Sequence, residues 1–151
     1  MPGLKAASGG GTPGYALRVL ALAIGVFFIF NGLDKLPWFL DSSILSERLD
    51  GWRASAHPAS RWYVENIAVP GIPMFARVVP LAELAAGAAL ACGFWTRLTA
   101  AMALLMVVNF HIARGLVFST EILTDGVGLP VLGSLLALAI AGGRLPFSLS
   151  K

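Results

Sequence analysis

The sequence predicts an all-α protein: a four-helix transmembrane bundle with an amphipathic interfacial helix in its first outer loop. The chain of 151 residues is 57% hydrophobic and only 13% charged, a balance that leaves too little polar surface for a soluble domain. Its mean hydropathy is +0.79. Four apolar segments approach the length needed to cross a bilayer. Two of them are joined by the tight connection 95–97, which predicts a hydrophobic helical hairpin.

The chain divides into a tail and one membrane domain. Residues 1–14 are rich in Gly, Ser and Pro, which predicts a flexible N-terminal tail. Residues 15–151 form a single four-span domain. The predicted spans are 15–36, 76–94, 98–117 and 127–142. The first apolar run is too long for a cleaved signal peptide, and no small-residue cleavage site follows it, so we expect it to be retained.

The outer loop, 37–75, holds three of the four tryptophans and charges of both signs. After helix-capping residues at 41–43, apolar side chains recur at helical spacing: Ile44, Leu45, Leu49 and Trp52. This pattern predicts an amphipathic helix at the headgroup level, where tryptophan is favoured. A second interpretation stays open, in which the region 38–66 is a docking surface for a protein partner.

Composition excludes several classes of function. The net charge of +3 is small and not clustered, so we expect no binding to nucleic acid. The single cysteine, Cys92, cannot supply an internal disulfide, a dithiol redox pair or a cysteine-rich metal site. The sequence therefore predicts no metal site and no catalytic side chain of its own.

Polar side chains within the apolar spans mark the candidate site. By the predicted span boundaries, Asn31, Glu83, Asn109 and His111 lie roughly 7–11 Å beneath the outer boundary, at ~1.5 Å per residue. Ionisable groups at such depth usually turn inward and mark function. The predicted ligand residues are Glu83, His111, Asn31, Lys35 and Asn109, beneath a charged collar of Asp34, Arg77 and Arg114. Asn109 and His111 lie about 200° apart around their helix, so both cannot face one narrow site, and His111 is favoured.

Two interpretations of this polar layer remain open. In the first, Glu83 pairs with Lys35 or with an arginine of the collar and only holds the bundle in register. In the second, His111 and Glu83 hydrogen-bond the headgroup of a quinone and relay its protons. Haem ligation is disfavoured, because the only other histidine, His57, lies in the outer loop.

Charge also predicts orientation. Four spans place both termini on one side of the membrane, together with the connection 95–97. The charged residues of that side are all basic: Lys5, Arg18, Arg97, Arg144 and Lys151. We therefore expect both termini to be cytoplasmic.

Several motifs, in order, resemble the DoxX family of small four-helix integral membrane proteins. They are RVLALAIG at 18–25, FNGLDKL at 30–36, AELAAGAAL at 82–90, GFWTRLTA at 93–100 and GGRLPFSL at 142–149. The NFH of 109–111 falls where the family tends to place a histidine. The ending departs from the family's GPGxxSLD, since it lacks the first proline and the final aspartate, and the first loop is longer than in the simplest members.

The resemblance implies a multi-pass protein of the bacterial inner membrane, linked to respiratory or redox complexes. Some relatives are subunits of a thiosulfate:quinone oxidoreductase. The family's recurrent polar residues fall on Asn31, Gly32, Lys35, Glu83, Gly87, Arg97 and His111. We therefore expect a redox-complex subunit that offers a non-covalent quinone site in the outer leaflet, with electrons supplied by a partner. The alternative is a non-catalytic anchoring or assembly subunit, while a carrier or channel is disfavoured because four spans leave little room.

Overall fold

The computed structural model describes residues 11–55 and 57–150, which contain helices and turns and no strand. Six α-helices lie in this part of the chain: α1 (Thr12–Asp34), α2 (Ser43–Ser55), α3 (Pro58–Tyr63), α4 (Ile72–Cys92), α5 (Thr96–Ala113) and α6 (Leu129–Ala141). The all-α prediction is confirmed for these residues. Most of the predicted tail, residues 1–10, lies outside the described residues.

Three apolar helices begin earlier than predicted: α5 at Thr96 rather than at residue 98 and, because of proline, α1 and α4. α1 begins at Thr12 and α4 at Ile72, with a proline in the first turn of each. The first turn of a helix has no partner for its N–H groups, so proline costs nothing there. Residues 12–14 therefore belong to α1 rather than to the tail, and the first turn of α4 takes up residues that were predicted as loop.

Three helices are long and apolar enough to cross a membrane. They are α1, α4 and α5, with 23, 21 and 18 residues. The fourth apolar helix, α6, has 13 residues and is shorter than the predicted span 127–142. At ~1.5 Å per residue it extends about 20 Å, less than the ~30 Å hydrocarbon core. The apolar helices fit a bilayer environment, as predicted.

The four apolar helices pack in a ring, with α1 against α4, α4 against α5, α5 against α6, and α6 against α1. The tightest crossing joins α1 and α4 at Gly25 and Gly87. A Cβ atom on Gly25 would lie 2.8 Å from the carbonyl oxygen of Gly87, so only glycine permits this approach. Close backbone contact of this kind lets helices associate in lipid, where the burial of apolar side chains gives little driving force for association.

The predicted outer loop is largely helical and carries a core of its own. As predicted, α2 is amphipathic, and Leu45 and Leu49 of its apolar face are only 5% and 3% exposed. These side chains pack against Trp38, Val64 and Ala68 and against the adjacent ends of α4 and α5. The apolar face that was predicted to lie among lipid headgroups is therefore covered by the protein itself. Residues 37–55 and 57–71, called the outer segment after the predicted outer loop, form a cap over one end of the bundle.

Candidate functional site

A buried ion pair joins α1 to α4 beneath this cap. Lys35 Nζ lies 2.7 Å from Oε2 and 2.9 Å from Oε1 of Glu83. The two side chains are 12% and 4% exposed. The ammonium also donates to the carbonyl oxygen of Asn31 at 3.2 Å. Of the partners predicted for Glu83, the structure selects Lys35.

His111 lies in the last turn of α5 and is 1% exposed. Its Nδ1 lies 2.7 Å from the carbonyl oxygen of Val107. A carbonyl only accepts, so Nδ1 carries the hydrogen and, in the neutral ring, Nε2 carries the lone pair. Within the described residues, Nε2 is buried without a hydrogen-bond partner. An orphaned nitrogen of this kind costs free energy unless a ligand or a water molecule pairs with it.

Glu83 of α4 and His111 of α5 line one cavity of about 410 Å³. Asn31 lines it from α1, Lys35 lines it from just beyond the end of α1, and Arg114 lines it from just beyond the end of α5. This volume falls within the roughly 300–1,000 Å³ of typical small-molecule sites. The cavity is therefore large enough for a small ring with polar substituents.

Aromatic and cationic side chains form the outer wall of the cavity. Trp38, Trp52 and Arg48 line it from the outer segment, and Phe27, Phe28 and Phe110 from the helices. Arg48 lies over the Trp38 ring with its guanidinium carbon 5.4 Å from the ring centroid. The cation and the flat ring stabilise each other. The wall thus offers flat apolar surfaces beside the polar groups of the floor.

A second ion pair involves Arg114 in the cavity wall. Arg114 Nη2 lies 2.8 Å from Oδ2 of Asp125, in the connection to α6. The backbone N–H of Val127 donates to the same carboxylate at 2.8 Å. This hydrogen bond, and then the charge of Arg114, lower the pKa of Asp125 below its usual 3.8. The carboxylate is therefore ionised at neutral pH, and the ion pair holds the Arg114 side chain at the cavity wall.

Three predicted site residues lie elsewhere. The side chain of Asn109 accepts a hydrogen bond from the Tyr63 hydroxyl at 2.6 Å and lies outside the cavity, because it projects from a different side of α5 than His111. Arg77 donates to the carbonyl oxygen of Pro73 on its own helix and does not line the cavity either. Asp34 is exposed and pairs with Arg48 at 3.6 Å. Only Arg114 of the predicted collar reaches the cavity wall.

Sequence reasoning did not identify Trp38, Arg48 and Trp52 as site residues. Trp38 and Trp52 carried only the general signal of tryptophan near a membrane surface. Arg48 is a charged residue of the predicted amphipathic helix and is absent from its apolar set, and such a residue is ordinarily solvated. Nothing in the local pattern shows that α2 folds back over the bundle, so the signal for these residues was absent from the sequence.

The sequence model of the DoxX family matches residues 16–115 of this chain. The chain belongs to the DoxX family. No curated protein and no solved structure matches it. Within this DoxX protein, all four cavity residues that the sequence predicted on the first three apolar helices fall inside the matched segment: Asn31, Lys35, Glu83 and His111. The family match establishes a membrane protein and leaves its ligand open.

The chemistry available in the cavity follows from which polar groups are already paired. Lys35 is engaged by both Glu83 carboxylate oxygens and by the carbonyl oxygen of Asn31, so it fixes the Glu83 carboxylate. Asn31 donates to the carbonyl oxygen of Phe27 in its own helix, which orients its amide. The Nε2 atom of His111 is left as the buried side-chain atom in the cavity wall that has no partner among the described residues.

Proposed function

We propose that this protein is a multi-pass inner-membrane subunit of a bacterial redox complex and binds the headgroup of a quinone in the cavity between Glu83 and His111. In this proposal α1, α4, α5 and α6 all span the membrane, both termini are cytoplasmic, and the cavity opens in the outer leaflet. A short α6 is accommodated by local thinning of the bilayer.

The observation that carries the proposal is the orphaned Nε2 of His111. In the neutral ring this atom accepts a hydrogen bond from a hydroxyl, and in the protonated ring it donates to a carbonyl. The oxidised and reduced forms of a quinone present these two groups. A single histidine with a fixed Nδ1 can therefore bind either form.

The other wall residues supply shape and charge balance. Trp52 and Phe110 are partly exposed in the cavity wall and offer rigid flat surfaces for a planar ring. The Lys35–Glu83 pair holds α1 and α4 at a fixed separation and keeps the floor neutral. A quinone takes up two electrons and two protons on reduction, and electrons come from a partner protein in this proposal. His111 Nε2 would hold or release one of the protons.

The test is to extract the protein in mild detergent and to quantify co-purifying ubiquinone and menaquinone by mass spectrometry. We expect the native chain to retain quinone and His111→Ala to lose it. His57→Ala is the matched control, because His57 is exposed, lies in the outer segment and is the chain's only other histidine. Absence of quinone from both the native protein and the control, when reconstituted with added quinone, would contradict the proposal.

A second candidate function, an anchoring or assembly subunit, is favoured by the outer surface of the cap. Leu40 is 95% exposed and Trp62 is 61% exposed on this segment, although the apolar face of α2 is already buried. In this case a photo-reactive residue in place of Trp62 should cross-link one partner in native membranes. His111→Ala would then leave both the cross-link and complex assembly unchanged. A cross-link only to lipid would count against this candidate.

A further inference from the structure

A second polar cleft lies at the end of the bundle opposite to the proposed quinone cavity. It has a volume of about 410 Å³ and lies between the N-terminus of α5 and the segment that follows α6. Hydrogen bonds hold that segment against the α4–α5 turn. The N–H of Trp95 donates to Ser150 Oγ at 2.7 Å, and the N–H of Leu149 donates to the carbonyl oxygen of Cys92 at 3.2 Å. We call this space the terminal cleft.

The terminal cleft presents unpaired hydrogen-bond donors. Thr96, Arg97 and Leu98 line it with the first turn of α5, which has no side-chain cap, and their N–H groups make no hydrogen bond among the described residues. Thr96 is 3% exposed, and its hydroxyl is buried without a partner there. Ser148, in the adjoining cleft beside Arg144, has a second buried hydroxyl without a partner in the same part of the chain. Backbone amides and hydroxyls converging in this way match an anion.

The charged side chains around the terminal cleft also favour an anion. Arg97 and Arg144 line it. The Nε atom of Arg97 donates to the carbonyl oxygen of Ala139 at 3.2 Å, which anchors the side chain at the cleft. All eight acidic side chains of the chain lie elsewhere, between 34 and 83 or at 121 and 125. Arg97 lies in the first turn of α5, where a cation opposes the helix dipole, so an anion from outside the chain would stabilise it.

The surroundings identify the source of that anion. Exposed apolar and aromatic side chains border the terminal cleft. Trp95 is 60% exposed and stacks on Phe94, Leu98 is 54% exposed, and Phe147 is 84% exposed. Aromatic residues in such a belt sit at the headgroup level of a bilayer. We propose that the terminal cleft binds the phosphate group of an anionic phospholipid, through Arg97, Arg144, the α5 amides and the Thr96 hydroxyl.

The experiment measures lipid retention by native mass spectrometry of the full-length protein, titrated with phosphatidylglycerol or with phosphatidylcholine of the same acyl chains. We expect preferential retention of phosphatidylglycerol. Arg97→Gln and Arg144→Gln should each weaken it about fivefold, the gain that one basic residue provides near an anionic surface. Arg77→Gln is the control, since that exposed arginine donates to a carbonyl of its own helix and lies outside the cleft.

Thr96→Val keeps the shape of the side chain and removes only its hydroxyl. If the hydroxyl binds phosphate, this variant loses phosphatidylglycerol. If the hydroxyl is merely buried, the variant is at least as stable as the native chain and retains lipid fully, which contradicts the proposal. Equal retention of both lipids also overturns it. Displacement of phosphatidylglycerol by millimolar inorganic phosphate, with no preference for the lipid, would instead identify free phosphate as the ligand. If Arg97→Gln fails to fold, Thr96→Val and Arg144→Gln decide the question.

Discussion

At the scale of single residues, the pairing of Lys35 with Glu83 decides what the cavity can do. A buried carboxylate in an apolar helix is costly unless a cation and hydrogen bonds compensate it. Lys35 supplies both, because its ammonium contacts both carboxylate oxygens. This pairing joins α1 to α4, as the first interpretation of Glu83 expects, while His111 Nε2 stays without a partner among the described residues.

Replacing one member of this pair should lower the free energy of unfolding far more than replacing both. Lys35→Met leaves Glu83 buried without its cation, and we expect a loss of about 3–5 kcal/mol in the free energy of unfolding. The double variant with Lys35→Met and Glu83→Met should recover most of it, since well-packed apolar groups often replace a buried pair at little cost. Unfolding titrations in mixed detergent micelles measure both. Equal losses in the single and double variants would contradict a compensating role for Lys35.

At the scale of helices, the contact of α1 with α4 sets the geometry of the site. Lys35 lies just beyond the end of α1, and Glu83 lies in the middle of α4. The Gly25–Gly87 crossing fixes how closely these helices approach. A small change in the separation of the two helices would change the distance between Lys35 and Glu83, because a protein interior does not deform without loss of packing.

Gly25→Ala should therefore destabilise the bundle. Its Cβ would lie 2.7 Å from the backbone nitrogen of Ala91 and 2.8 Å from the carbonyl oxygen of Gly87, and backbone atoms cannot yield as side chains do. We expect a cost of about 1–3 kcal/mol, as for other overpacked contacts, measurable as a lower melting temperature in detergent. Gly133→Ala is the matched control on α6, where an added Cβ meets nothing within 4 Å. That variant should be neutral or slightly stabilised, since alanine favours a helix more than glycine does.

At the scale of the whole molecule, the two ends of the bundle differ in charge and in structure. One end carries the cap, with the acidic residues and their ion pairs. The other carries the terminal cleft, with basic side chains and exposed aromatics. This asymmetry supports the proposed orientation, with the terminal cleft towards the anionic cytoplasmic leaflet.

Cysteine labelling tests this orientation. In a chain carrying Cys92→Ser, Gly51→Cys on α2 should react with a membrane-impermeant maleimide in intact cells. Gly143→Cys after α6 should react only once the membrane is opened. An added Cβ at Gly51 meets nothing within 4 Å, and at Gly143 the nearest atom is 3.8 Å away, so both changes are tolerated sterically. Labelling of both positions in intact cells, or of Gly143→Cys alone, would contradict the proposed topology.

The sequence by itself determined the helical class, the apolar segments and the presence of polar groups among them. Hydrophobic length and period are local properties, and so are the prolines and glycines that begin and end helices. His111 and Glu83 could be identified because ionisable groups are conspicuous in an apolar span. Only the tertiary structure decided that Glu83 pairs with Lys35, that Asn109 and Arg77 lie outside the cavity, and that α2 brings Trp38 and Arg48 to its wall. Those facts depend on the rotation and approach of whole helices, which residues distant in the chain fix together through packing.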